Sequence, residues 1–327
     1  MSVSRSHHRL RLLSLSFLWF AIVLVALANQ QSILDWWKLR GYTPPASVSS
    51  LAVDDTMTSY AKHLFYVNKP DILSGSNFTG NCPRGSEKTI VLGCYKSFDN
   101  GIYLYDVTDP RLDGVMQVTA AHEMLHAAYD RLSSAERNKI DALLENYYTH
   151  SLTDPRIKQT MDAYKQSEPT ELDNEMHSVF GTEVAQLPPA LETYYKQYFT
   201  DRAKVTSYAA SYEAEFTSRR EQVAAYDAQL ATLKQTIDTN EASLAMQQTN
   251  LQVQLAQISS ETNSNSSTYA SQVQAYNRAV SAYNALRRST QYDIETYNAI
   301  VDKRNALALE EQSLVQSLTP QSLPAAK

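Results

Sequence analysis

The chain of 327 residues has only 8 glycines, 11 prolines and 2 cysteines, and where they are missing matters more than how few they are. No glycine occurs after Gly181 and no proline between Pro189 and Pro320, so 190–319 runs for 130 residues without a helix breaker. That absence predicts helix over the whole stretch, because glycine and proline are the residues that interrupt one. An excess of positive charge is also missing: 29 basic residues face 35 acidic ones, for a formal charge of -6. Such a balance gives no electrostatic footprint for DNA or RNA, and nucleic acid is excluded as a partner on that ground. A wholly disordered chain is excluded as well, since 43% apolar residues suffice to bury a core.

Only one long run is both uncharged and predominantly apolar. It is Leu12 to Ala28, preceded by Arg5, Arg9 and Arg11 with no acid among them. A basic cluster followed by an apolar run is an export signal, with the N-terminus retained in the cytoplasm and the remainder outside. We read 1–11 as a cytoplasmic basic segment and 12–33 as a transmembrane signal anchor. A cleaved signal peptide is the rival, since Ala26-Leu27-Ala28 has the form of a cleavage site and would leave the protein secreted. Trp36, Trp37, Lys38 and Arg40 follow as interfacial anchors. In an exported chain the close pair Cys82 and Cys94 reads as a disulfide.

Residues 41–50, rich in proline and serine, read as a linker to a domain over 51–189. Within it, Thr89 to Tyr95 and Ile102 to Val107 are β-branched and aromatic, and Asn100-Gly101 between them suits a tight turn, so a β-hairpin is expected. Helices follow from Val115 (Asp113 as N-cap), from the capping box Ser133-x-x-Glu136, from Asp154-Pro155, and from Thr170-x-x-Asp173 to near Gly181. The fold class is α+β, a small sheet followed by helices.

The helix from Val115 carries His122-Glu123-x-x-His126. Histidines four apart stack on one face and can share a metal ion, and the glutamate one position on is placed as general base for metal-assisted hydrolysis. Zn2+ is the expected cofactor, and a third protein ligand is required. Glu171, Asp173, Glu175 and His177 are available downstream. Here Asn174-Glu175-x-x-Ser178 resembles the NExxSD motif of the gluzincin metallopeptidases, which are thermolysin-like and pair it with HExxH. That resemblance implies His122, His126 and Glu175 as ligands and Glu123 as the base. His177 and Glu171 are alternative third ligands. Val179 stands where the family has an aspartate that orients a histidine ligand, so Glu171 or Asp173 is expected to take over that role. By the same resemblance Ile102 to Val107 is expected to be the edge strand along which a peptide substrate lies. The oxyanion donor is left open among Tyr129, Tyr147, Tyr148, His150 and Tyr194.

Beyond Val223 apolar residues recur at 3-4 spacing: Val223, Tyr226, Leu230, Leu233, Ile237, then Leu244, Leu251 and Ile258, with Asn240, Gln247 and Gln254 at the intervening positions. Ser259 to Thr268 is a turn-like break, after which Tyr269, Val273, Tyr276, Val280 and Tyr283 resume, continuing to Ile294, Tyr297, Val301, Val315 and Leu318. This predicts an antiparallel coiled-coil hairpin over 190–319 with a disordered tail at 320–327. The expected function is that of a membrane-tethered exported zinc metallopeptidase acting on a peptide or protein, its hairpin holding a partner protein or a second copy. The alternatives are a cell-surface scaffold with a non-catalytic zinc module and a cell-wall peptide or amide hydrolase.

Overall fold

The structure, a computed structural model, describes residues 19–83, 90–97, 101–261 and 266–320. It divides into two units, Met1–Tyr212 with Ser317–Lys327, and Glu213–Gln316. The first unit begins with helical residues 19–28 (α1), followed after a turn at Asn29 by α2, Gln30–Leu39. Among the described residues no helix is long and apolar enough to cross a membrane. The basic segment 1–11 and residues 12–18 of the expected span lie outside the described residues, as does the tail from 321.

The segment expected as a linker is in large part a helix. Pro45 is the N-cap of α3, Ala46–Asp54, and a proline at a helix entry loses no hydrogen bond. Val48, Leu51 and Ala52 of α3 are buried. Next come α4, Ser59–Val67, capped by the Thr58 hydroxyl, then β1, Asp71–Leu73, and the short α5, Gly75–Asn81. Helices therefore precede the sheet as well as follow it, which the order expected from sequence had missed.

The hairpin is present as β2, Gly93–Lys96, and β3, Gly101–Tyr105, antiparallel with Cys94 opposite Tyr103. Its turn residues 98–100 lie outside the described set. β1 pairs in parallel with β3, giving the order β1-β3-β2. The expected edge strand, β3, is thus the central one; the unforeseen three-residue β1 covers its second side, leaving β1 and β2 at the edges. Cys82, just past α5, forms a disulfide with Cys94 of β2. Closing so short a loop removes about 3 kcal/mol of unfolded-state entropy.

Four helices follow a single 3-10 turn at Pro110–Leu112: α6, Val115–Asp130; α7, Ser134–His150; α8, Pro155–Ser167; α9, Leu172–Glu183. The capping box at Ser133 and Glu136 and the Asp154 cap with Pro155 behind it form as expected. The N-cap of α6 is Gly114, at φ 98°, and not Asp113. α9 starts from Glu171 and runs through Gly181 to Glu183. A Cβ at Gly181 would stand 2.5 Å from Leu125 Cδ1 and 2.7 Å from Tyr195 Cε1, so this glycine ends no helix and instead lets α9 close onto α6. α6 is the centre of the core: Val115, Val118, Met124 and Leu125 are buried, and Ala120, Ala121, Ala127 and Ala128 keep its outline narrow.

α10, Pro189–Tyr195, is followed by a break at 196–201 with no glycine or proline in it. Here tertiary packing overrides helix propensity. Tyr198 and Phe199 are buried, Phe199 bridges to Met57, and the Thr58 amide donates to the Tyr198 carbonyl. The long helices are α11, Arg202–Ser260, and α12, Ser267–Leu318, of 59 and 52 residues. At about 1.5 Å per residue α11 is ~88 Å long. The second unit begins at Glu213, inside α11, so the boundary lies beyond the expected residue 190.

In that second unit Asp227 pairs with Arg304 at 2.6 Å and Arg219 with Glu310 at 3.5 Å. Moving toward the N-terminus of α11 moves toward the C-terminus of α12, so the two helices run antiparallel. Val223, Tyr226, Leu230, Leu233, Ile237 and Asn240 are each half-buried between exposed neighbours, and Leu244 is half-buried as well, the 3-4 repeat read from sequence. Val315, expected in the seam, is exposed, while Leu314 is buried in its place.

Candidate metal centre

Two helices build the site. α6 presents His122, Glu123 and His126, and α9 packs across it to bring Glu175 alongside. The side chains of His122, His126 and Glu175 each offer one donor atom, and the three atoms lie within 4.8 Å of one another. His122 Nε2 is 2.9 Å from His126 Nε2 and 3.7 Å from Glu175 Oε2, and His126 Nε2 is 3.5 Å from Glu175 Oε1. Ligands about 2.1 Å from a tetrahedral zinc are about 3.4 Å apart, so this donor set has the chemistry and the spread of a three-ligand zinc site.

The tautomer of His126 is set by its other nitrogen. Nδ1 lies 2.9 Å from Asn174 Oδ1 and 3.2 Å from Ser178 Oγ. A carbonyl oxygen can only accept, so Nδ1 carries the proton and the Nε2 lone pair faces Glu175. Such a partner fixes ring orientation and raises the basicity of a metal ligand. Asn174 and Ser178 are four apart on α9 and flank Glu175, so one helix supplies the carboxylate and orients the imidazole. The expected stand-ins for the missing aspartate, Glu171 and Asp173, do not bond to His126. Val179 itself is buried in the core. The asparagine is the residue that sequence reasoning passed over, although it stands directly before Glu175.

Glu171 is the exposed N-cap of α9 and is not part of the cluster. His177 is fully buried on another face of α9, with Nε2 2.9 Å from the Tyr194 hydroxyl and its ring against Tyr129, Tyr195 and Tyr198. Burial, and then the positive charge His126 would carry, push its pKa down to about 3. Burial likewise holds His122 well below the ordinary imidazole range, reinforced by His126 and His177. Neutral imidazole is the form that binds a metal.

Glu123 is buried, and β2 passes directly over it. A Cβ at Gly93 would stand 2.6 Å from Glu123 Oε1 and 2.7 Å from Thr119 Cγ2, so only glycine allows the strand this close to the carboxylate. Of the five groups considered as oxyanion donors, Tyr129 donates to Asp141 at 2.8 Å, Tyr148 to Asp162, and His150 contacts the Asn146 carbonyl within its own helix. Tyr194 is engaged with His177 and Tyr198, and the Tyr147 ring packs edge-on against Phe180. A cleft of about 500 Å3 beside the N-terminus of α6, lined by Asp54, Asp109, Met116 and Gln117, contains none of the cluster residues.

Comparison of the chain with protein-family models, with curated proteins and with solved structures gives no match.

Proposed function

We propose that the protein is an exported, membrane-tethered zinc metallopeptidase. The observation that carries this reading is the convergence of His122, His126 and Glu175 from two helices, with Glu123 beside them. A purely structural metal site has no need of a buried carboxylate at that position. Bound there, Zn2+ would supply Lewis acidity toward a peptide carbonyl and toward water. The chain's own contribution is to hold the three donors, to fix His126 through Asn174 and Ser178, and to receive and return a proton at the Glu123 carboxylate. The substrate is a peptide or protein, and β2, an edge strand over Glu123, is the place for its backbone to pair. The helical hairpin is assigned to holding a partner protein or a second copy.

The test is hydrolysis of a peptide library by the full chain and by Glu123→Gln. Removing a general base lowers kcat by about 10^2 to 10^4. Equal rates for the two proteins would leave the scaffold reading, with a non-catalytic metal module, in its place.

A further inference from the structure

The buried Asp35 of α2 points to what the opposite face of that helix is for. Asp35 is only 3% exposed, and Arg131, at the C-cap of the metal-site helix α6, holds both its oxygens at 2.6 and 2.9 Å. His63 of α4 adds a contact at 2.8 Å. At about 100° per residue, Ile33 and Trp37 lie about 160° around α2 from Asp35 and Trp36 about 100°, with Arg40 at the C-cap just beyond them. They are open to solvent, Trp36 at 58% and Trp37 at 61%, and the Arg40 guanidinium lies 5.6 and 5.7 Å from the two indole centres. No acid shares that face: Asp35 is the only acidic residue of α2. Immediately before it, α1 exposes Trp19, Phe20, Val25 and Leu27.

An exposed apolar face that carries an arginine and no acid, continuous with an uncharged apolar run, has one fitting occupant. Indole rings beside arginine favour the polar layer of a bilayer, where the ring is half-desolvated and the cation meets phosphate. We infer that α2 seats the protein in the headgroup layer of an anionic bilayer through Ile33, Trp36, Trp37 and Arg40, while the Asp35–Arg131 ion pair on its other face fastens the metal-site helix to the membrane surface. His126 lies five residues before Arg131 and His122 nine, about 7 and 13 Å along α6. The site then works close to the bilayer, on juxtamembrane segments of anchored polypeptides. This inference rests on the membrane-tether part of the proposed function, and its seating claim is independent of the peptidase part.

The chain's three tryptophans, Trp19, Trp36 and Trp37, make the test direct. The full chain is reconstituted in vesicles of mixed zwitterionic and anionic phospholipid, and indole emission is measured against aqueous iodide and against lipids brominated near the headgroup or near the chain ends. In Trp19→Phe, which reports Trp36 and Trp37, the expected result is a blue shift, loss of iodide quenching, and stronger quenching by the shallow bromines. In Trp36→Phe/Trp37→Phe, Trp19 is expected to respond more to the deep ones. Trp36 and Trp37 staying open to iodide in vesicles overturns the inference, and so does their being shielded equally without lipid, which would mark a second copy as the occupant. Quenching of Trp19 alone keeps the tether and rejects the seating of α2; quenching of none rejects both.

Discussion

At His126 the two ring nitrogens have different partners, and the difference decides what the residue can do. Asn174 and Ser178 hold the Nδ1 proton, so Nε2 is left to face Glu175 and His122. Replacing Asn174 by alanine removes the stronger of these contacts while sparing every ligand. Metal affinity is expected to fall by about 10- to 100-fold, with one ion still bound at saturation, and competition with a chromogenic chelator measures it. A second residue-scale prediction concerns Gly181. Alanine there gains about 1 kcal/mol of helix propensity but overpacks against Leu125 and Tyr195 at a cost of about 1 to 3 kcal/mol. The expected outcome in urea unfolding is a net loss. The grouping of His122, Glu123 and His126 was legible in the sequence because a four-residue spacing puts two histidines on one helix face, whereas Glu175 was reached only through the resemblance that its motif carries. Asn174 as orienter was not, since which neighbour of a ligand turns toward the histidine depends on how α9 crosses α6.

Among the elements, α2 depends on a charge cluster that no local pattern reveals, because Asp35, His63 and Arg131 are far apart in sequence. Burial by itself would raise the pKa of Asp35, but the hydrogen bonds from Arg131 and His63 outweigh it and the net displacement is downward. The unfolded chain therefore takes up this proton more readily than the folded one. The stabilisation is complete above the unfolded value near 3.8 and is lost as the pH falls through the lower folded value. Urea unfolding of the chain and of Asp35→Asn is expected to converge as the pH drops below about 4, with the variant the less stable at neutral pH. A gap that is unchanged with pH would contradict this. Strand β1 was invisible for a related reason: three residues carry no periodicity, and only its pairing with β3 gives it strand geometry. The break at 196–201 had no glycine or proline to announce it, because burial of Tyr198 and Phe199 draws the chain out of helix.

For the whole molecule, the division of labour follows from where the chemistry-bearing residues lie. Both cysteines and His122, Glu123, His126 and Glu175 belong to the first unit, and Glu213–Gln316 leaves from it and returns to it as an insertion. Insertions of this kind leave the host core intact. Replacing 213–316 by a short flexible linker is expected to give a folded protein with unchanged metal stoichiometry and an unchanged Cys82–Cys94 bond, checked by metal analysis and thiol titration. The half-buried repeat along α11 was legible from sequence, because a 3-4 spacing kept for so long has one helical reading. The position of the boundary was not, since α11 runs through it without a break.

His122, His126 and Glu175 are proposed to hold one metal ion beside Glu123, and metal content tests this most directly. The full chain, Glu123→Gln and Glu175→Ala are purified without chelator, equilibrated with micromolar Zn2+ and dialysed before elemental analysis. One zinc per chain is predicted in the first two proteins, and a marked loss in the third. An unmodified chain that retains no zinc, or a Glu175→Ala chain that binds it as tightly, would contradict the account.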